Sequence, residues 1–81
     1  MGRAGKALRQ VLAAYKISQY QLATRMGIDR SNLSRWVGEQ RDPAAEAVFE
    51  IRLALEIINP AAARDFVNLY FYDRGDEENI S

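Results

Sequence analysis

The chain has 81 residues, 48% of them apolar and 27% charged, with neither cysteine nor histidine, which fits one folded domain able to bury roughly 60 to 65% of its unfolded surface. The missing residue types remove disulfides, the usual zinc ligands, the usual general base and the cysteine nucleophile, so an enzyme, a metal site and a bound cofactor are not expected. A formal net charge of zero conceals two opposed halves: residues 1–41 carry eight basic and two acidic side chains, a net +6, and residues 42–81 carry three basic and nine acidic ones, a net −6.

The opening MGRAGK lacks the apolar core of a signal peptide and the spacing of a phosphate-binding loop, and reads as a flexible start. No run approaches the ~18 apolar residues of a membrane span, so a cytoplasmic protein with no membrane contact is the expectation. Ala4, Ala7, Leu8, Val11, Leu12 and Tyr15 recur at helical spacing and predict an amphipathic first helix over about residues 4–16. Its outer row, Arg3, Lys6, Arg9 and Lys16, could touch phosphates, although such a row opposite an apolar stripe is usually a solvated face. For Tyr15, half-buried packing outweighs a phosphate contact; for Tyr20 both readings stay open.

Ser18 reads as the N-cap of a second helix over 19–26, with Gln21 completing a capping box and Ile17 and Leu22 placed to staple it. Gly27 supplies the positive φ of a sharp exit, small Ala23 allows a close helix crossing, and Asp29 caps a third helix over 30–37. In that helix Leu33 and Trp36 bury one side and leave Arg30, Ser31, Ser34 and Arg35 on the other. Arginine can bind guanine O6 and N7 together and serine can bond to base or phosphate, so the exposed face suits a major groove. Trp36 at this spacing reads as core rather than as a stacking platform.

After a polar loop from Gly38 to Arg41, Asp42-Pro43 reads as a cap followed by proline and opens a fourth helix over 44–57. Val48, Ile51, Leu55 and Ile58 form its stripe, broadened by Ala45 and Leu53, and Phe49 is expected against the first helix. Asn59-Pro60 repeats the device and opens a fifth helix over 61–72. There Phe66, Val67, Leu69, Tyr70, Phe71 and Tyr72 cover more of the circumference than one core can use, which calls for a second buried surface. Residues 73–81 are acidic with one apolar side chain and read as a disordered, flexible tail, leaving a domain of residues 1–72.

Ser18-Gln19, LATRMGI at 22–28, SNLSRW at 31–36 and Arg41-Asp42-Pro43 stand in one order across Leu8 to Leu55. In this the chain resembles the lambda-repressor-like, or XRE, helix-turn-helix family. The resemblance implies a compact all-α domain of five helices with the third in the major groove of double-stranded DNA. By position it implies that Arg30, Ser31 and Arg35 read bases and that Asn32 and Ser34 reach base or phosphate. It further implies that Gln19 contacts the backbone or braces a recognition side chain, and that Arg41 touches phosphate. The family runs from the tryptophan into Glu, a variable residue and Gly, whereas here Val37, Gly38 and Glu39 follow Trp36. The glycine stands one place early, and Glu39 beside a phosphate would weaken binding.

The expected function is therefore sequence-specific DNA binding as a transcriptional regulator, as a homodimer joined through helix 61–72. The alternative is a protein-interaction module, an antitoxin or adaptor, that keeps the scaffold and uses the fifth helix to hold a protein partner.

Overall fold

Apolar residues at helical spacing produce five helices, described over residues 3–72 of a computed structural model. They are α1 (Arg3–Tyr15), α2 (Gln19–Met26), α3 (Arg30–Val37), α4 (Ala45–Ile58) and α5 (Pro60–Tyr72). Residues 1–2 and the expected tail at 73–81 lie outside the described part. Each helix sends at least one fully buried side chain to a single core: Leu8, Leu22, Leu33, Ile51, Leu55 and Phe66. Burial of each such side chain contributes about 1.5–3 kcal/mol. The result is a compact all-α domain in which α1 packs on α3 and α5, α2 on α3 and α4, and α4 on α5. No helix among the described residues is long and apolar enough to cross a membrane.

The ends of α1, α2 and α3 share one geometry. After each helix a residue takes positive φ: Lys16 at 56°, Gly27 at 75° and Glu39 at 62°. The next N–H then reaches back to a carbonyl in the last turn, Ile17 to Leu12 at 2.9 Å, Ile28 to Ala23 at 3.1 Å and Gln40 to Arg35 at 2.9 Å. The positive-φ residue's own N–H also reaches back, Lys16 to Ala13 at 3.4 Å, Gly27 to Thr24 at 3.2 Å and Glu39 to Trp36 at 3.0 Å, and this double closure satisfies carbonyls that a helix end otherwise leaves without partners. Gly27 was legible because glycine takes positive φ without a Cβ penalty. Lys16 and Glu39 adopt the same conformation at a cost of about 1–2 kcal/mol each, and no glycine marks them.

The N-terminal ends divide. Ser18 Oγ accepts from the Gln21 N–H at 2.9 Å, and Asn59 Oδ1 accepts from the Ala61 N–H at 3.0 Å with Pro60 in the first helical position. Asp29 holds the cap position of α3 in extended conformation, yet its side chain makes no cap hydrogen bond. It faces solvent and acts on the helix dipole by charge alone. Asp42-Pro43 is not the cap of α4: the chain stays extended through Ala44, ψ 164°, and Ala44 occupies that position without a side-chain bond. Glu46 in the first turn supplies the negative charge that the bare helix end favours.

Three further expectations are corrected. The chain is helical from Arg3, and Gly5 is buried, so only residues 1–2 of the supposed flexible start remain undescribed. Phe49 is 54% exposed and borders a groove with Val67, Tyr70 and Phe71 of α5 rather than α1. Leu53 is 41% exposed and Ala45 also faces solvent, because α4 turns only Val48, Ile51, Ala54 and Leu55 fully to the core.

Candidate nucleic-acid interface

The turn from Gly27 to Asp29 sets α3 across α2, and buried Ala23 and Leu33 let the two helices approach closely. With Leu33 in the core and Trp36 and Val37 half-buried against it, Arg30, Ser31, Ser34 and Arg35 are left exposed on the outer face and Asn32 half-buried. Ser34 Oγ donates to Gln19 Oε1 at 2.8 Å, which ties the start of α2 to the middle of α3. Gln19 thus braces Ser34 through its oxygen, and its amide NH2 enters no hydrogen bond among the described residues. Arg35 Nη1 donates to Asn32 Oδ1 at 2.9 Å, so the long guanidinium arm is held one turn from its own Cα position. Ser18, Gln19, Tyr20, Arg30 and Ser34 line one shallow hollow between the two helix starts.

Six of the seven candidate residues therefore lie on α2 and α3, and four of them are joined in two hydrogen-bonded pairs. Ser31 is exposed beside them. Arg41 is exposed on the loop after α3 and enters none of these hydrogen bonds among the described residues. Neither Arg30 nor Arg35 forms an ion pair among the described residues, whereas Arg9 pairs with Glu39 at 2.9 Å and Arg52 with Glu56 at 3.2 Å.

Two residues of α1 hold the end of α3, and periodicity gave Arg9 only a place in the outer basic row and gave Gly5 none. Arg9 of α1 donates from Nη1 to the Val37 carbonyl at 2.8 Å and from Nη2 to Glu39 at 2.9 Å. It caps the last turn of α3, where a cation also suits the helix dipole, and it draws Glu39 toward α1. The acid that departs from the family pattern is thereby neutralised at the loop. Gly5 is the other: a Cβ there would stand 2.0 Å from the Trp36 carbonyl oxygen, so only glycine allows α1 to touch the end of α3 this closely. Both contacts join residues about thirty positions apart, and no local pattern encodes them.

Tyr15 does not face this surface. Its hydroxyl donates a hydrogen bond to Asp65 Oδ2 and clasps α1 to α5. That bond, with burial and the negative charge of Asp65, raises the Tyr15 pKa above its usual value near 10.0, against a smaller opposing effect of Arg64. Tyr20 is 67% exposed at the edge of the hollow.

The family model described as Helix-turn-helix matches residues 6–60, from the first half of α1 to the start of α5. The chain belongs to the helix-turn-helix family. Its defining pair, α2 and α3, is a DNA-binding motif, and here it lies in the half of the chain with net charge +6, as a polyanionic partner favours. No curated protein and no solved structure matches this helix-turn-helix chain.

Proposed function

We propose that residues 1–72 form a lambda-repressor-like (XRE-type) domain that binds double-stranded DNA sequence-specifically as a cytoplasmic transcriptional regulator, with α3 in the major groove. The observation that carries this reading is the outer face of α3, where Arg30 and Arg35 stand exposed, without an ion pair among the described residues, beside Ser31 and the braced Ser34. In this reading Arg30, Ser31 and Arg35 contact base edges, Asn32 and Ser34 contact base or phosphate, and Gln19 and Arg41 fix the register on the backbone. Titration of a duplex at increasing salt tests it: log affinity falls linearly with log salt as phosphates release their counterions. No duplex affinity at low salt overturns it.

The same reading includes a homodimer joined through α5, since one short recognition helix seldom gives a tight, selective site and two would read half-sites about 34 Å apart. Phe71 and Tyr72, 57% and 67% exposed, support this seam, because aromatic side chains are enriched at interface centres. Light scattering of wild type and Phe71→Glu tests it, the dimer mass falling to that of a monomer in the variant. The second reading, an antitoxin or adaptor that holds a protein through α5, is favoured by the same two aromatics and survives only if duplex binding fails.

A further inference from the structure

We propose that the outer face of α4 is a docking surface for a basic amphipathic helix of another protein. Phe49, Leu53 and Ile57 are 54%, 41% and 62% exposed, and their spacing of four residues sets them on one side of the helix. They form an apolar stripe that spans about 12 Å along the axis. The core does not use it, since Val48, Ile51, Ala54 and Leu55 fill the opposite side of α4. At Phe49 the stripe runs into the groove floored by Val48, Val67, Tyr70 and Phe71, so it offers both a ridge and a depression to a partner.

Charge decides the occupant. Exposed Glu46 and Glu50 border the stripe on one side. Exposed Glu56 borders it on the other, bonded at 3.2 Å to Arg52, whose guanidinium lies 5.6 Å from the Phe49 ring centroid. A second copy laid on this stripe would bring three glutamates against the same three, with one Arg52 from each copy to offset them. Like charges so juxtaposed disfavour the contact. A helix with lysines or arginines beside its apolar residues meets the same surface with opposite charge and fills it in the helix-in-groove manner. The seam proposed for self-association lies on α5 and shares Phe71 with the groove at the Phe49 end of the stripe, whereas Leu53 and Ile57 belong to α4 alone, so the serine pair below tests the stripe without touching the seam. Because α3 packs on α1 and α2 while α4 packs on α2 and α5, an occupant of α4 leaves the outer face of α3 uncovered.

Two synthetic helical peptides with the same leucine stripe, one flanked by lysines and the other by glutamates, test this by anisotropy titration against the full chain. The lysine peptide is expected to bind with an affinity that falls as salt rises, and the glutamate peptide is expected to bind at least about tenfold more weakly. Leu53→Ser with Ile57→Ser lowers the melting point modestly, through helix propensity and the covered part of Leu53, and keeps a cooperative melt, while the lysine peptide binds the folded variant about tenfold or more weakly. Glu46→Gln with Glu50→Gln weakens it too and flattens the salt dependence. Equal affinity for the two peptides, or an affinity untouched by the serine pair, overturns the proposal. So does a concentration-dependent doubling of mass that the serine pair abolishes, which would give the stripe to a second copy.

Discussion

The face built by α2 and α3 and the face built by α4 and α5 use the same amphipathic rule with opposite surpluses. In α3 only Leu33 is fully buried, Trp36 and Val37 are half-buried, and everything left over is polar or basic and partly fixed by its own hydrogen bonds. In α4 and α5 apolar residues outnumber core positions, so Phe49, Leu53, Ile57, Phe71 and Tyr72 remain exposed among carboxylates. A polar surplus held in place suits the reading of a charged, patterned surface, whereas an apolar surplus suits a partner that removes it from water. The two faces should therefore respond to different substitutions.

The largest expected effect breaks both faces at once. Gly5→Ala places a Cβ 2.0 Å from the Trp36 carbonyl oxygen, a backbone atom that cannot turn aside, and should destabilise the domain by about 1–3 kcal/mol or more. Urea denaturation measures it; an unmoved midpoint would mean that α1 does not press on the end of α3. Arg30→Ala and Arg35→Ala should separate the faces. Each is expected to cost about 1–3 kcal/mol of discrimination at its own base position, with melting temperature and solution mass unchanged. Gly27→Val should lower stability by more than about 1 kcal/mol, read by thermal unfolding. Space for the side chain is not the obstacle there, since nothing lies within 4 Å of an added Cβ; the cost is the backbone at φ 75°.

How far the sequence discloses this molecule follows from which contacts are local. Helix positions came from periodicity over a few turns, and Ser18, Gly27 and Asn59 act through hydrogen bonds to residues two to four positions away. The bonds from Arg9 to Val37 and Glu39, the approach of Gly5 to Trp36 and the clasp of Tyr15 to Asp65 join distant segments. No spacing rule reaches them. Asp42-Pro43 misled because a proline marks where the chain is extended as readily as where a helix starts. Within the candidate interface, residue identity revealed which side chains face outward. That Gln19 holds Ser34 and Asn32 holds Arg35 depends on side-chain rotamers, which spacing does not specify.

The smallest effects refine the comparison at its edges. Lys16→Gly relieves a positive φ at a site outside both faces and should raise stability by about 0.5–1 kcal/mol, visible as a higher thermal midpoint. Tyr15→Phe concerns the clasp between the faces. Since the folded-state pKa of Tyr15 is raised, its contribution is complete below the unfolded value near 10 and is lost as pH rises through the folded value. Wild-type stability should accordingly fall through alkaline pH more steeply than that of Tyr15→Phe, measured by unfolding across that range. Parallel pH profiles would mean that the Tyr15 hydroxyl contributes nothing to the clasp.

The most direct measurement is selection of duplexes from a random library by wild type and by Arg35→Ala. Binding through the α3 face predicts enrichment of a two-fold-symmetric site with half-sites about 34 Å apart, and loss of preference at one symmetric pair of positions in the variant. Enrichment of no sequence, or of the same sequence with equal preference by both proteins, would contradict it.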